Sequence, residues 1–376
     1  MRNFVMTSGS AGEGHPDKIC DQISDAMVDA FLAADADAHV VAECALASDV
    51  IFLSLRTDRE PPFDTAALAR RIFEGAGYGG QRRSQPTVML DLVIGDGQAG
   101  RDRTHASNMV TAIGHACTHT PECLAYPIWA AHRLTRGLDD LRRAGSAPWL
   151  GPDLQSQVAV EFRDRRPVRI AAIAVTAGLL EPMASREVQD YLTREVFGAA
   201  LGGGSLAIDA GTRIVFVSAP GAGGPGAHSG LTGRKIADDS YGGFARQSTA
   251  ALSGKDPSRI DRIAAYAARQ IARCVVAARL ADECEVQVSY LLGDTEPASV
   301  EIDTFGSGRL PDSGIGDRVR RLFDLGVGTI ESRMNLRSLP AARGGRFFRD
   351  LATYGHMGRD DLDPPWEDTS RAADLV

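Results

Sequence analysis

Apolar residues recur at helical spacing directly after Pro16 and alternate with polar residues in several later segments. Ile19, Ile23, Met27 and Phe31 fall on one face of a helix, and proline suits the first helical position. Similar spacing predicts helices at 66–77, 185–197, 261–278 and 315–325. Runs rich in β-branched residues predict strands at 39–56, 87–95, 157–162, 168–176, 212–217, 284–293 and 299–306. Strand-rich units with helices recur about three times, which predicts an α+β protein of three similar modules.

The composition is that of an ordinary globular protein and narrows the class of function. The chain has 376 residues, of which 44% are hydrophobic and 24% are charged. It has no apolar run long enough to span a bilayer, no apolar stretch of a secretory signal, and six irregularly spaced cysteines. We therefore expect a cytoplasmic protein with reduced thiols and no membrane association. The net charge of −8 argues against general nucleic-acid binding.

Lysine is scarce, and its positions are informative. Lysine and arginine total 41, but the lysines are only Lys18, Lys235 and Lys255. Arginine-rich codon usage explains the bias, and lysine then persists where a compact point charge is needed rather than a planar fork. We therefore predict that all three lysines face a common triphosphate site.

The first lysine lies in the sequence EGHPDK, where the first helix is predicted to begin. A helix N-terminus exposes unpaired N–H groups and the positive end of the dipole, so it can hold phosphate. His15 could donate to a phosphate or to a leaving oxygen, and Asp17 could bind Mg²⁺. A simple helix cap with a surface Lys–Asp pair explains the same residues, because acid-rich first turns are common.

The other two lysines lie in the glycine-containing segments SGLTGRK and SGKDPSRID. Glycines let the backbone approach a ligand closely, and Arg234 and Lys235 add a double positive charge. Lys255, Arg259 and Asp261 combine phosphate-binding charges with a carboxylate that could bind a metal. Each segment alone could be a surface turn, but three lysines in three such clusters favour a polyphosphate site.

Three other patterns support no stronger assignment. Two G-x-G-x-x-G matches occur, at Gly95–Gly100 and Gly221–Gly226. The first lacks the acidic residue of a dinucleotide-binding unit, and the second opens no predicted helix. The segment GHACTHTPEC could bind zinc or iron, but its spacing matches no standard zinc pattern, and packing explains it equally well. Its potential ligands are His115, Cys117, His119 and Cys123.

The chain resembles the S-adenosylmethionine synthetase (methionine adenosyltransferase) family in motifs that follow in the same order along nearly its whole length. They are EGHPDKICDQISDA, GLTGRK, YGG, SGKDPSRIDRIAAYAAR, VQVSY and YGHMGRD...PWE. The resemblance implies three α/β modules around a pseudo-threefold axis, at 1–98, 104–217 and 222–366, interleaved in space. We expect the polar tail at 367–376 to be loose. The resemblance also implies a homodimer with active sites at the interface, sometimes paired into tetramers.

The resemblance also implies a reaction and its site residues. The sulfur of methionine attacks C5′ of ATP and displaces triphosphate, which is then hydrolysed to pyrophosphate and phosphate. The implied catalytic residues are His15, Lys255, Arg234 and Lys235. The implied ATP-binding residues are His15, Asp153, Gln155, Arg234, Lys235, Ala251 and Lys255. The implied metal ligands are Asp17 and Asp261 for Mg²⁺ and Glu43 for K⁺.

The sequence departs from the family pattern where the nucleoside and the amino acid are expected to bind. Gln155 replaces a lysine in PDLQ, and Asn108 replaces an aspartate in SNMV. Arg56 replaces a strand glutamate, His228 aligns with an aspartate, and Arg259 replaces a lysine. The second-substrate pocket is therefore predicted to contain Arg56, Asn108, His228 and Arg259.

These departures predict weak use of methionine. A positive Arg56 would repel the ammonium group of methionine, unless Arg56 turns outward to pair with Asp58 or Glu60. The family's gating loop, here between Gly95 and Asn108, is several residues shorter, which points the same way.

Three functions are compatible with the sequence. The first is methionine adenosyltransfer, and the second is a paralogue that uses another nucleophile or hydrolyses ATP or triphosphate. The third is a non-catalytic partner subunit, which the preserved phosphate and metal residues argue against.

Overall fold

The computed structural model describes residues 3–79, 85–95, 103–219 and 223–376. The strands are β1 (Asn3–Ala11), β2 (Val40–Ala47), β3 (Val50–Thr57), β4 (Thr87–Ile94), β5 (Val110–Cys117), β6 (Leu150–Arg163), β7 (Arg166–Leu179), β8 (Arg213–Ser218), β9 (Gly230–Leu231), β10 (Glu283–Tyr290) and β11 (Ser299–Asp303). The α-helices are α1 (Pro16–Ala34), α2 (Thr65–Phe73), α3 (Tyr126–Arg143), α4 (Ser185–Leu192), α5 (Gly198–Ala200), α6 (Ile236–Asp239), α7 (Ile260–Ala277), α8 (Asp312–Leu322), α9 (Val327–Met334), α10 (Leu339–Ala342) and α11 (Phe348–Leu351). The π-helical turns are Glu74–Tyr78 and Thr193–Phe197, and the 3₁₀ helices are Gly224–Gly226, Leu336–Ser338, Pro365–Glu367 and Ser370–Leu375. In this part of the chain no helix is both long and apolar enough to cross a bilayer.

The described strands form three sheets with a similar arrangement of strands. Their strand orders are β1-β6-β7-β8, β4-β3-β2-β9 and β11-β10-β5. Each contains an antiparallel hairpin that follows a long helix: β2–β3 after α1, β6–β7 after α3 and β10–β11 after α7. In the first two sheets a helix then leads to a strand parallel to the second hairpin strand, namely β8 beside β7 and β4 beside β3.

The three modules exchange their first strands in a cycle. The strand β1 precedes α1 but pairs with β6, and β5 precedes α3 but pairs with β10. The strand β9 precedes α7 and pairs with β2, which closes the cycle. Each long helix packs on the sheet that results: α1 on β2 and β9, α3 on β6 and β1, and α7 on β5 and β10. The modules are thus interleaved, and a loop of the last module is held against the first helix of the chain.

The predicted helices and strands are present, but several further elements were not predicted from the apolar pattern. The helix predicted after Pro16 extends to Ala34, and the segment 39–56 forms the hairpin β2–β3. The longer unpredicted elements are β1, β5, α3 and α9. The helix α3 buries an apolar face but carries many polar residues on its other face, which weakens its apolar periodicity.

The prediction of a loose tail is wrong. Residues Ser370–Leu375 form a 3₁₀ helix, and Leu375 is buried. Arg318 donates to the carbonyl oxygen of Leu375 at 2.5 Å, and Arg371 donates to that of Leu322 at 2.6 Å. The buried side chains of Ala372 and Leu375 and two arginine–carbonyl contacts therefore hold this segment against the rest of the protein.

Candidate active site

The helix α1 begins at a cap that fixes the imidazole of His15. The His15 Nδ1 atom accepts a hydrogen bond from the backbone N–H of Asp17 at 3.1 Å, and Pro16 occupies the first turn. Burial lowers the pKa of His15 to about 2, and the charge of Lys235 is the next contribution in the same direction. His15 is therefore neutral at physiological pH, and because Nδ1 accepts, the proton is on Nε2. The ring presents a permanent N–H donor at the start of the helix.

Four aspartates on successive turns of α1 hold loops of the last module. Asp17, Asp21, Asp25 and Asp29 are spaced by four residues, which places them on one helix face. Their carboxylates accept backbone N–H groups from Leu231, Gly233, Gly254 and Phe347–Arg349. Both glycine-containing segments that carry lysines are therefore anchored to the helix that begins at His15.

Two glycines permit this close approach. A Cβ atom on Gly230 would lie 2.1 Å from the carbonyl oxygen of Pro16. Gly254 has a φ of +79°, and a Cβ atom there would lie 1.9 Å from the carbonyl oxygen of Ala42. Any larger residue would push either loop away from α1 or β2.

Arg234 and Lys235 direct their cations toward Asp17. Arg234 Nη1 lies 3.4 Å from Asp17 Oδ1, and Lys235 Nζ lies 3.9 Å from Asp17 Oδ2. Both cations are partly exposed, whereas Asp17 is buried. These are loose contacts at the edge of ion-pair distance, so both cations can turn to an anion that approaches the start of α1.

Lys255 and Asp261 form a second charged pair. Lys255 Nζ lies 3.6 Å from Asp261 Oδ2, and Asn108 donates to Asp261 Oδ1 at 3.0 Å. Within the described residues, the buried Asp261 Oδ2 accepts no hydrogen bond. Burial lowers the pKa of Lys255, although the charge of Asp261 opposes that shift. A buried carboxylate oxygen that accepts no hydrogen bond is suited to a hard cation.

Lys18 does not face a ligand, and that part of the lysine prediction is wrong. Its Nζ atom is fully buried and binds the carboxylates of Asp21, at 3.0 Å, and Asp239. Burial alone would lower the pKa of Lys18, but the two carboxylates raise it above its ordinary value. A compact ammonium fits between two buried acids where a planar guanidinium would need more room. Lys18 therefore persists in an arginine-rich chain for a reason of packing.

His228, Asp153 and His15 lie side by side. His228 Nε2 is 2.8 Å from Asp153 Oδ2, which also accepts the backbone N–H of Gly224 at 2.8 Å. The rings of His228 and His15 have centroids 5.0 Å apart. Gly224 belongs to the short 3₁₀ helix Gly224–Gly226, in a segment predicted to open no helix, of which residues 221 and 222 lie outside the described residues.

Comparison with known proteins identifies the family. Sequence models of S-adenosylmethionine synthetase match along most of the chain: the N-terminal domain at 3–91, the central domain at 103–220 and the C-terminal domain at 222–368. The S-adenosylmethionine synthase of Synechococcus sp. (strain WH7803) is 38% identical over 405 residues, covering 100% of this chain and 97% of that protein. The S-adenosylmethionine synthase of Gloeobacter violaceus (strain ATCC 29082 / PCC 7421) is 39% identical over 410 residues, covering 100% of this chain and 98% of that protein. The chain belongs to the S-adenosylmethionine synthetase family. It is therefore an enzyme of the adenosyltransferase class.

Arg56, which the resemblance places at a glutamate position, is paired with a residue that the sequence did not suggest. It donates to Asp91 Oδ2 on the neighbouring strand β4 at 2.8 Å. Among the described residues Arg56 forms its ion pair with Asp91 and not with Asp58 or Glu60. Asp58 instead binds Arg59 and the backbone N–H of His39. Asp91 lies opposite Ser54 in the pairing of β3 with β4, which makes it a diagonal neighbour of Arg56, and such strand registers are not visible in the sequence.

The structure gives the positions of the other residues to which the family resemblance assigns a role, and those roles stay predictions. Glu43 is exposed on β2 opposite Ser54, and Gln155 is on β6 opposite Ala11. Ala251 fills the space next to Gly233, since a Cβ atom on that glycine would lie 2.4 Å from the Ala251 methyl group. Arg259 caps α7 two residues before Asp261. The shortened gating loop and the Gly95–Gly100 motif fall largely in 96–102, outside the described residues.

The histidine–cysteine segment is explained by contacts within the protein. His115 Nε2 lies 2.9 Å from Glu283 Oε1, and Glu283 also binds Arg165. His119 packs against Phe162 and Phe244. Among the described residues, the group of three histidine or acidic side chains close enough together to hold a metal is instead His15, Asp153 and His228.

The aspartates of α1 are the most informative residues whose role was not predicted from the sequence. A buried helix with an acid on every turn demands buried partners, because an unpaired buried carboxylate is costly. Asp25 binds both Arg262 and the backbone N–H of Gly254, and both side chains are fully buried. The four-residue period of aspartates in DKICDQISDAMVD was a visible signal that α1 anchors other segments.

Proposed function

We propose that this chain makes S-adenosylmethionine by transferring the 5′-adenosyl group of ATP to the sulfur of methionine. The carbon–sulfur bond forms at C5′ as the C5′–O5′ bond breaks, and the electron pair leaves with the triphosphate oxygen. Water then cleaves one phosphoanhydride bond of the triphosphate to give pyrophosphate and phosphate. The observation that carries the proposal is the fixed, neutral N–H donor of His15 beside the two loosely held cations Arg234 and Lys235.

His15 acts in this scheme as a hydrogen-bond donor to the leaving oxygen. Its Nε2–H would stabilise negative charge that develops on O5′ and would need no change in protonation during the step. The backbone N–H of Asp17 holds the tautomer, so the donor is oriented before ATP binds. The partly exposed cations of Arg234 and Lys235, beside the start of α1, would hold the phosphates.

We infer that Asp17 and Asp261 would each offer a carboxylate oxygen to Mg²⁺. Asp261 offers the buried Oδ2 atom that accepts no hydrogen bond within the described residues, and Asp17 offers Oδ2, whereas its Oδ1 accepts the Leu231 N–H. The metal would supply positive charge against the triphosphate oxygens. Glu43 would supply one exposed carboxylate to K⁺.

Activity is expected to disappear in EDTA and to return when Mg²⁺ is restored. Asp261→Asn should raise the Mg²⁺ concentration for half-maximal activity, because a neutral amide is a poorer ligand than a carboxylate. The assay follows product formation across a Mg²⁺ titration, with Asp209→Asn, an exposed acid bound to Arg169, as the matched control. Full activity in EDTA contradicts the assignment of the metal.

Lys255 is expected to contact the phosphates directly. Lys255→Ala should lower kcat/KM for ATP by about 10- to 150-fold, because a charge-assisted hydrogen bond is worth about 1.5–3 kcal/mol. Lys255→Arg should also be impaired, since a planar fork does not replace a point charge in this mostly buried position. Arg186→Ala, at an exposed cation on α4, is the control. Unchanged turnover and ATP affinity in Lys255→Ala would remove Lys255 from the site.

The Arg56–Asp91 pair revises the expectation of weak methionine use. Asp91 offsets the charge of Arg56, so the repulsion of the methionine ammonium group is reduced. Asp91→Asn should therefore raise KM for methionine several-fold and leave KM for ATP unchanged, as measured by steady-state kinetics. Asp209→Asn again serves as control. An unchanged KM for methionine in Asp91→Asn would show that Arg56 does not face this substrate.

A second candidate activity is adenosyl transfer to a nucleophile without an ammonium group. Arg56, Asn108 and His228 stand where family members carry acids, which favours a less cationic substrate. Steady-state kinetics with methionine distinguishes the two: saturation at micromolar to low millimolar methionine supports the first, and no methionine-dependent product supports the second.

We also propose that two chains associate through the outer face of the sheet β4-β3-β2-β9. This face carries the exposed apolar side chains of Val50, Phe52, Met89 and Leu231 next to Arg56 and Glu43. Exposed apolar groups on one continuous sheet face are typical of protein interfaces. A dimer in sedimentation equilibrium that Phe52→Glu dissociates would support this surface.

A further inference from the structure

We propose that His15, Asp153 and His228 form a binding site for a borderline divalent cation such as Zn²⁺. Each residue offers one ligand atom, and the three atoms lie within 4.8 Å of one another. Two imidazole nitrogens and one carboxylate oxygen suit zinc, whereas Mg²⁺ prefers oxygen ligands only. Three protein ligands would leave a fourth position for water.

A second observation marks the same place as a ligand site. Asp153 is buried, and its Oδ1 atom accepts no hydrogen bond from the described residues. The other oxygen already binds His228 and the backbone N–H of Gly224. A cation at this point would give the unused carboxylate lone pairs a partner.

The site requires only small side-chain movements. Ligand atoms around tetrahedral zinc lie roughly 3.3 Å apart. The three ligand atoms lie within 4.8 Å of one another, so the most distant pair must approach by at most about 1.5 Å. His228 can supply this movement, because its side chain is 40% exposed and lies between the 3₁₀ helix and β9. His15 and Asp153, in contrast, are fixed by the start of α1 and by β6.

Zinc binding would change the tautomer of His15, and also that of His228 if this ring binds through the Nε2 atom that now donates to Asp153. Zinc needs the lone pair of His15 Nε2, so the ring proton must move to Nδ1 and the hydrogen bond from Asp17 N–H must break. The carboxylate of Asp17 lies 3.9 Å from Nδ1 and could accept the displaced N–H. Carboxylates commonly orient zinc-binding histidines in this way.

Zinc and ATP should compete for His15, an expectation that rests on the proposed function. The Nε2 atom that would bind zinc is the donor proposed for the leaving oxygen of ATP. By the family resemblance, His228 replaces an aspartate. The second imidazole ligand is therefore a feature in which this chain differs from the family pattern. Trace zinc would then hold the enzyme inactive until nucleotide displaces it.

Titration calorimetry with Zn²⁺, and visible absorption with Co²⁺, would test the site on protein without a histidine tag or nucleotide. We expect one tight ion per chain and at least about a 100-fold loss of affinity in His228→Ala, because even outer-shell partners of such ligands account for 10–100-fold. His105→Ala and Cys123→Ser remove other accessible zinc ligands and should bind normally. Circular dichroism confirms folding of each variant.

Equal zinc affinity in wild type and His228→Ala would overturn the site. Adding a non-hydrolysable ATP analogue separates this result from a failure of the proposed function. If zinc binds through His228 and the analogue does not weaken it, the zinc site stands and the placement of phosphates at His15 is wrong. If zinc does not bind while ATP and methionine are turned over, the zinc site is wrong and the proposed function stands.

Discussion

Replacing Lys18 by methionine is expected to lower the free energy of unfolding by about 3–5 kcal/mol, because it leaves two buried carboxylates without their cation. Asp21 and Asp239 both bind Lys18 Nζ, and all three side chains are buried. Burial raises the pKa of Asp239 to about 7, so this acid depends on Lys18 for its charged form. Guanidinium chloride unfolding at pH 7.5, above that pKa, measures the loss.

Lys235→Met is the matched control, since it removes a lysine that is partly exposed and only 3.9 Å from its nearest carboxylate oxygen. Exposed charge pairs contribute about 0–1 kcal/mol, so its stability should change little while its activity falls. A Lys18→Met variant as stable as Lys235→Met would show that the buried acids do not need this cation.

Removing the imidazole of His15 is expected to lower kcat by about 10²–10³-fold, the range for loss of one preorganised donor at a developing oxyanion. His15 has two functions, the N-terminal cap of α1 and the proposed donor, and two variants separate them. His15→Ser keeps a capping oxygen but has no donor of comparable reach, whereas His15→Ala loses both.

Both variants should therefore lose activity, and His15→Ala should in addition lose about 0.5–2 kcal/mol of stability from the missing cap. Rapid-quench measurement of the first turnover, together with thermal unfolding, gives both quantities. If His15→Ser retains kcat near that of the wild type, the cap alone explains the histidine.

The activity should also lack a titration of His15 between pH 5 and 8. Because the pKa of His15 is lowered to about 2, a loss of activity on acidification in this range belongs to another group. The neutral state follows from burial at the helix start, which the sequence EGHPDK does not reveal.

Local structure and the family could be predicted from the sequence, because both depend on patterns among residues that are close together in the chain. The helix after Pro16, the hairpin within 39–56 and the glycine segments are each encoded by neighbouring residues. The cyclic exchange of β1, β5 and β9 joins strands that are far apart in the chain, so no local pattern predicts it.

In the candidate site, too, features set by neighbouring residues could be predicted, and features set by distant residues could not. Arg234, Lys235 and Lys255 were predicted from residue type and neighbours, and each has a cation directed toward a predicted metal carboxylate. Lys18 has the same charge in the same motif, but its environment is set by Asp239, 221 residues away, and it is buried. The partner of Arg56 likewise depends on the register of β3 with β4.

The most direct test of the central claim is to identify the products of the first turnover by mass spectrometry. Enzyme in excess over ATP is mixed with Mg²⁺ and methionine, quenched over milliseconds to seconds, and compared with a sample that lacks methionine. The account predicts S-adenosylmethionine with enzyme-bound triphosphate first, followed by pyrophosphate and phosphate in equal amounts. Release of ADP or AMP, with no methionine-dependent adenosyl product, would contradict it.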